Sequence, residues 1–322
     1  MALLVSLFFG FVPMFAFAGF VYWLDRYEKE PLALLGAAFF WGVAIAAGGA
    51  FIINTLFGIG IFYATGSEGV AEFATTSIVA PFVEEFLKGL AVAIVFFLFY
   101  REFDSILDGI IYAAIAALGF AATENAFYIY SMGYQEAGWE GLWFLVFVRI
   151  FLVGWQHPFY TAFIGIGFAV SRLNKNLFIR VIAPLVGYAV AVTAHAFHNT
   201  FGGLIGGLEG LAAGTLVDWT GWALMFGFIL FMIGRERSLV QKYLKEELAA
   251  GLITPAQYLQ ALSPMTTTFA PFRGRAAARF FQVCGELVHK KEHFARLGDD
   301  GGNARMIEAL RNELATLAPQ VR

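Results

Sequence analysis

The sequence predicts an all-α fold, a polytopic membrane helix bundle of about seven transmembrane helices followed by a helical cytoplasmic C-terminal tail. Hydrophobic residues make up 59% of the 322 residues and charged residues only 14%, with a mean hydropathy of +0.70. An ordinary soluble domain is about 45–50% apolar and about 25% charged. The apolar residues also gather in runs of about 20 or more, the length a helix needs to cross a bilayer. Finally, the loops between runs alternate between basic and acidic, as expected of a chain that crosses repeatedly.

The runs fall at Leu3–Leu24, Leu32–Phe62, Thr75–Tyr100, Ile106–Tyr130, Leu142–Ser171, Val181–Leu204 and Val217–Gly234. The first could pass for a signal peptide cleaved after Ala16-Phe17-Ala18, but its first ten residues hold no Lys or Arg. Since a signal peptide wants a basic start, the run reads as a span. The second and fifth exceed one bilayer crossing and must tilt, kink or extend beyond the hydrocarbon. Asp104 and Asp108 open the fourth as an interfacial cap, while Trp139, Trp143, Trp219 and Trp222 suit an outer aromatic belt.

Loops after the first, third and fifth runs carry Arg26 and Lys29, then Arg101, then Arg172, Lys175 and Arg180. Those after the second, fourth and sixth carry Glu68, Glu72, Glu136, Glu140 and Glu209, with no Lys or Arg. Basic loops stay cytoplasmic, so the N-terminus lies outside the cell membrane and the C-terminus inside. The expected division is a transmembrane catalytic bundle over residues 1–234 and a cytoplasmic helical tail over 235–322. That tail holds 13 of the 21 basic residues. It reads as a solvated helical appendage, with a Gly251 C-cap, a short helix from Thr254-Pro255 to Leu262, and helices Ala276–Leu297 and Asn303–Leu317 split by the turn GDDGG. Its basic residues suit contact with anionic lipid. A net charge of −3 gives no reason to expect nucleic-acid binding, and the single Cys284 excludes an internal disulfide or a CxxC site.

Polar side chains inside the runs carry the chemistry. Glu84 and Glu85 sit deep in the third run, where a charge costs about 2.5–3.5 kcal/mol on insertion scales and so tends to serve a function. Lys88 shares their helix face. At 1.5 Å per residue Glu84 lies about 15 Å below the outer surface. Counted the same way, Glu124, His157, His195 and Asn199 fall at matching depth although their runs alternate in direction. Four helices thus bring polar groups to one level. His195 and Asn199 stand at i and i+4 on one face, with His198 at the border. Pro158 loosens the helix at His157, and Arg149 needs a carboxylate partner.

These residues carry a resemblance. Pro-Phe-Val-Glu84-Glu85-Phe-Leu-Lys88 resembles the EExxK motif of the PrsW family of intramembrane proteases. His157 and His195-Ala-Phe-His198-Asn199 match that family's two histidine positions, the second as HxxxN. The segments WLDRYEKEP, Phe103 to Gly109 and Gly119 to Asn125 are also similar, so the likeness covers about residues 20–205. The order of motifs is more distantly similar to the CAAX-protease and bacteriocin-processing superfamily.

The resemblance implies hydrolysis of a peptide bond in a membrane-anchored protein substrate, such as an anti-sigma factor. The residues are compatible with this. Glu84 is expected to activate water and Glu85 to orient it or share its proton. Lys88 offsets the second negative charge, His195 and Asn199 hold the oxyanion, and His157 positions water or donates a proton. Glu124 and Asn125 are supporting residues. No cofactor is expected, because HExxH is absent and the histidines come from different helices. Zinc held by His157, His195 and Glu84 is the alternative. Intramembrane Glu and His also build the proton relays of transporters and channels, but no inverted repeat is visible. A non-catalytic scaffold presenting its tail to a partner is the third reading, and a buried structural ion pair the bland account of Glu84, Glu85 and Lys88.

Overall fold

The computed structural model describes residues 1–299 and 302–321, and no strand occurs among them. Helix α1 spans Ala2–Leu24 and α2 spans Leu32–Thr65, the latter widened by a π-turn at Trp41–Ala46. Gly66, at φ 67°, ends α2 in the left-handed conformation that glycine adopts most readily. The Ser67 hydroxyl then caps α3 (68–98), which contains a second π-turn at Thr75–Val79. Helix α4 (106–136) starts from a reciprocal cap: the Ser105 hydroxyl accepts from the Asp108 amide, while Asp108 accepts from the Ser105 and Asp104 amides at 2.6 and 2.8 Å. Asp108 is thus a cap, whereas Asp104 forms an ion pair with Lys290 of the tail.

Ala137 and Gly138 leave helical geometry, Gly138 at φ 62°, and the chain reverses so that α5 (139–152) lies against the end of α4. Residues 153–155 then break the helix, and α6 begins afresh at Gln156 and runs to Arg172. The break has a cause in the sequence. The Pro158 ring would clash with the carbonyl of residue 154 in a continuous helix, but in the first turn of a new one it is tolerated. Helices α7 (Leu177–Ile205) and α8 (Gly207–Ala249) complete the bundle, and α8 continues without a break past residues 234 and 235.

Among the described residues, five helices are long and apolar enough to cross a membrane: Ala2–Leu24, Leu32–Thr65, Ile106–Arg172, Leu177–Phe201 and Gly207–Ala249. Ile106–Arg172 contains the reversal at Gly138, and α3 falls outside the set with three charges, Glu84, Glu85 and Lys88, in its middle. Helix α4 is the axis of the bundle. Nearly every residue from Leu107 to Ala122 is buried, with α1, α2, α3 and α6 around it. Gly109 and Gly165 let α4 and α6 touch backbone to backbone, since a Cβ on Gly165 would lie 1.9 Å from the Gly109 carbonyl oxygen.

The tail holds α9 (Pro255–Ala261), α10 (Thr266–Phe269), α11 (Arg275–Leu297) and α12 (Asn303–Leu317). Part of the GDDGG turn, Asp300-Gly301, lies outside the described residues. The tail is more than a solvated appendage, because α11 docks on the loop between α1 and α2. Gln282 bonds both the amide and the carbonyl of Lys29, at 2.9 and 3.1 Å, and Gly285 packs on the Tyr27 carbonyl. Lys290 reaches the Arg101 carbonyl at 2.8 Å as well as Asp104, joining the tail to the end of α3.

Candidate functional site

Each polar side chain at the bundle centre is aimed by its helix. On α3, Glu85 and Lys88 are one turn apart and fully buried, and Glu84 is 7% exposed. Glu124 and Asn125 sit just past the middle of α4. His157 stands in the first turn of α6, at the positive dipole end of the broken helix. His195 and Asn199 share a face of α7.

The hydrogen bonds form two ionic groups and leave one oxygen over. Glu85 accepts from Lys88 Nζ at 2.5 Å and His195 Nδ1 at 2.9 Å through Oε1, and from the Thr161 hydroxyl at 2.8 Å through Oε2. Glu124 pairs with Arg149 and, at 2.8 Å, with His157 Nε2, while Asn125 Oδ1 accepts from Arg149 Nε at 2.7 Å. Glu84 has only a long bond from the Asn54 amide, 3.4 Å, to Oε1. Its Oε2 is buried without a hydrogen-bond partner and lies 3.8 Å from His195 Nε2.

Charge counting gives the same result. Three carboxylates, Glu84, Glu85 and Glu124, face two fixed cations, Lys88 and Arg149. Lys88 is committed to Glu85 and Arg149 to Glu124. The surplus negative charge therefore belongs to Glu84, the carboxylate without a committed cation.

These groups meet at a cavity of about 660 Å³ lined by Glu84, Glu124, Arg149, Gln156, His157, His195, His198 and Asn199, with the start of α8 as one wall. The structure thus brings Glu84, Glu124, His157, His195 and Asn199 into one polar chamber. Glu85, Lys88 and Asn125 lie behind it as partners. One Asn199 amide hydrogen goes to the Thr76 carbonyl at 2.9 Å, in the π-turn of α3.

Glu84, His157 and His195 offer donor atoms all within 4.8 Å of one another. Two imidazoles and a carboxylate make a zinc-enzyme donor set, and Glu85 on His195 Nδ1 is the outer carboxylate such a ligand usually has. One contact opposes it. Lys88 approaches His157 Nδ1 at 3.2 Å, and an ammonium only donates, so the ring proton sits on Nε2 and points at Glu124. The set fits zinc only if His157 gives up that bond.

Sequence reasoning passed over Asp218 on α8. It is 4% exposed, accepts from the Tyr160 hydroxyl at 3.4 Å, and lies 2.8 Å from His198 Nδ1. Tyr160 stacks on His195 with ring centroids 4.9 Å apart. The available signal was that Asp218 is the lone ionisable residue between Gly210 and Gly234. Thr161, which holds Glu85, and Asn54 gave no such signal.

Residues 30–233 match a family model described as PrsW family intramembrane metalloprotease. Proteins named Protease PrsW are also similar to the chain. That of Geobacillus kaustophilus is 30% identical over 189 residues, 56% of this chain and 75% of the relative. The Bacillus subtilis protein is 30% identical over 52% of this chain and 69% of its own, and the Clostridioides difficile protein 32% over 53% and 71%. No solved structure matches the chain.

Proposed function

The chain belongs to the PrsW family and is an intramembrane protease, and on that premise we propose that Glu84 is the group that takes the proton from the attacking water. The observation that carries this reading is Glu84 Oε2, a buried carboxylate oxygen with no partner at the edge of the cavity, 3.8 Å from His195 Nε2. Glu85 holds His195 through Nδ1, which leaves Nε2 as an acceptor facing the same space. A water donating to Glu84 Oε2 and His195 Nε2 is held for attack.

As the water oxygen bonds to the scissile carbonyl carbon, its proton moves to Glu84, and the carbonyl oxygen becomes an oxyanion. The second amide hydrogen of Asn199 and the unused N–H groups of Arg149 are the donors nearest that role. Glu84 then returns the proton to the amine nitrogen as the C–N bond breaks. His157, fixed between Lys88 and Glu124, orients the chamber. Lys88 keeps Glu85 ionised beside Glu84, and Glu124 and Asn125 hold Arg149. Where zinc is bound, by Glu84, His157 and His195, it supplies a Lewis acid that acidifies water. The His157 hydrogen bonds favour the metal-free form.

The substrate in this reading is a membrane-anchored protein. The chain crosses seven times, with α3 counted as a span because its charges face the chamber, and with α4 and α5–α6 as two spans joined at Gly138. The basic loops put the N-terminus outside and the tail in the cytoplasm. Residues 1–234 form the catalytic bundle and 235–322 the cytoplasmic tail.

Glu84→Gln tests the mechanism. Cleavage of a single-span reporter in liposomes should fall by about 100-fold or more, with folding and insertion retained. Activity surviving in that variant removes Glu84 as the base. Elemental analysis of the same preparation should find no stoichiometric zinc, and one zinc per active chain would replace the metal-free scheme.

A further inference from the structure

We propose that an anionic phospholipid binds between the end of α1 and the start of α11, with its phosphate on Lys29 and Arg275 and an acyl chain in the apolar cavity beside Phe20. The pocket for the phosphate measures about 460 Å³, with Tyr22, Trp23 and Lys29 on one side and Arg275, Ala278 and Gln282 on the other. No carboxylate is among the described residues that line it. Arg275 is exposed and in no ion pair among the described residues. Lys29 gives one N–H to the Tyr22 carbonyl at 2.7 Å, and an ammonium has two more to give. Arg279 shares the wall but is held at 2.6 Å by both Glu286 and Glu313, so it adds no net charge. Asp25, the acid that acts on Lys29, is pushed up to about 7 by burial and offsets it only in part.

Two cations alone would suit any anion. The place of the pocket and the cavity beside it identify a lipid. Tyr22 and Trp23 stand in the last turn of α1, where an apolar helix leaves the hydrocarbon. On the tail side, next to Pro271 in the pocket wall, Phe269 and Phe272 are 53% and 87% exposed. Aromatic rings in such positions belong at a bilayer surface. Trp23 also stacks on Phe20, with ring centroids 5.6 Å apart. Phe20 lines the second cavity, about 540 Å³, whose walls are the apolar side chains of α1, α4, α6 and α8, among them Leu24, Ile111, Phe159 and Phe226. Positive charge at the surface, with an apolar slot one turn deeper on the same helix, matches a phosphodiester and its acyl chain. An inorganic anion or an acidic peptide has no use for the slot. Gln282 already ties α11 to Lys29, so the lipid closes the joint between tail and bundle.

The test keeps the full-length chain in dioleoylphosphatidylcholine vesicles that contain a fraction of phosphatidylglycerol or phosphatidylcholine brominated on its acyl chains. Bromine quenches tryptophan on contact. Trp155 lines the apolar cavity, and its share of the emission is the difference between wild type and Trp155→Phe. A basic residue at the membrane surface contributes about fivefold to anionic-lipid affinity. Brominated phosphatidylglycerol should therefore displace the host lipid at Trp155 with a relative association constant of about 25, against about 1 for brominated phosphatidylcholine. Arg275→Gln should lower the first value about fivefold, and adding Lys29→Gln should bring it to about 1. Melting temperatures check folding. Should the double variant misfold, Arg275→Gln decides, because its side chain is exposed.

Equal quenching of Trp155 by the two lipids overturns the proposal, and so does a preference that Arg275→Gln leaves intact. If inorganic phosphate displaces the brominated phosphatidylglycerol, the pocket takes a soluble anion and the lipid assignment fails.

Discussion

Replacing Lys88 by Met should separate the forces that hold the site together from those that run it. Lys88 is fully buried, with Nζ 2.5 Å from Glu85, 3.2 Å from His157 Nδ1 and 4.5 Å from the centre of the Phe120 ring. Methionine keeps most of the length and removes the charge, leaving three buried carboxylates against Arg149 alone. Breaking one side of a buried ion pair costs about 3–5 kcal/mol, because the abandoned charge has no water to return to. Adding Glu85→Gln removes the abandoned charge while keeping an oxygen for His195 Nδ1. The double variant should recover most of the loss, with a coupling energy of about 2–3 kcal/mol. Unfolding of the four proteins in detergent gives the cycle, and cleavage of a single-span reporter runs beside it. Activity should stay depressed by about 100-fold in the double variant, because a neutral Gln oxygen holds His195 Nδ1 more weakly than a carboxylate and lets the ring move from its place. A Lys88→Met protein within about 1 kcal/mol of wild type, or a fully active double variant, would refute the reasoning.

Other substitutions probe what surrounds that pair. Asp218→Asn should lower kcat by up to about 100-fold through misplacement of Tyr160 and His195, with KM for the reporter unchanged. Unaltered kcat would reduce Asp218 to an anchor for α8. In the loop after α1, burial pushes Asp25 up to about 7, with Asp108 adding to the rise against Lys29 and the Glu30 amide. The folded chain thus keeps a proton that the unfolded chain releases near pH 4. This group's stabilisation is complete below pH 4 and is lost as pH rises through about 7. Asp25→Asn should therefore flatten the fall in melting temperature between pH 5 and 8, and an unchanged slope would remove Asp25 as its source. His195→Ala and Glu84→Gln should not be additive in cleavage, since in the proposed mechanism both hold the one attacking water.

Much of this arrangement was legible because membrane helices obey few rules. Apolar run length gave the helices, and counting at 1.5 Å per residue placed Glu84, His157, His195 and Asn199 at one depth. Pro158 announced the break before α6, although its place, at 153–155, follows from a clash four residues upstream. Arg149 announced its need for a carboxylate, which is Glu124. Gly285 gave no warning, by contrast. Its contact with the Tyr27 carbonyl joins segments more than 250 residues apart, and a helix's periodicity shows which face is apolar without naming what covers it. For that reason the tail read as solvated.

The adjacent glutamates show most clearly where sequence stops and geometry starts. Neighbouring residues on a helix point about 100° apart, so Glu84 and Glu85 could not both meet the same partners. Which one was held and which left free depended on Lys88, Thr161 and His195, which come from three helices. Those three converge on Glu85. Glu84 is left with an amide 3.4 Å from one oxygen and nothing on the other. The bland alternative, a structural ion pair, accounts well for Glu85 and Lys88. It gives no reason to keep a second carboxylate beside them, unpaired and facing a cavity, where apolar packing would be more stable. In the proposed mechanism it is this unpaired glutamate that takes the proton, with the ion pair behind it holding Glu85 and His195 in place.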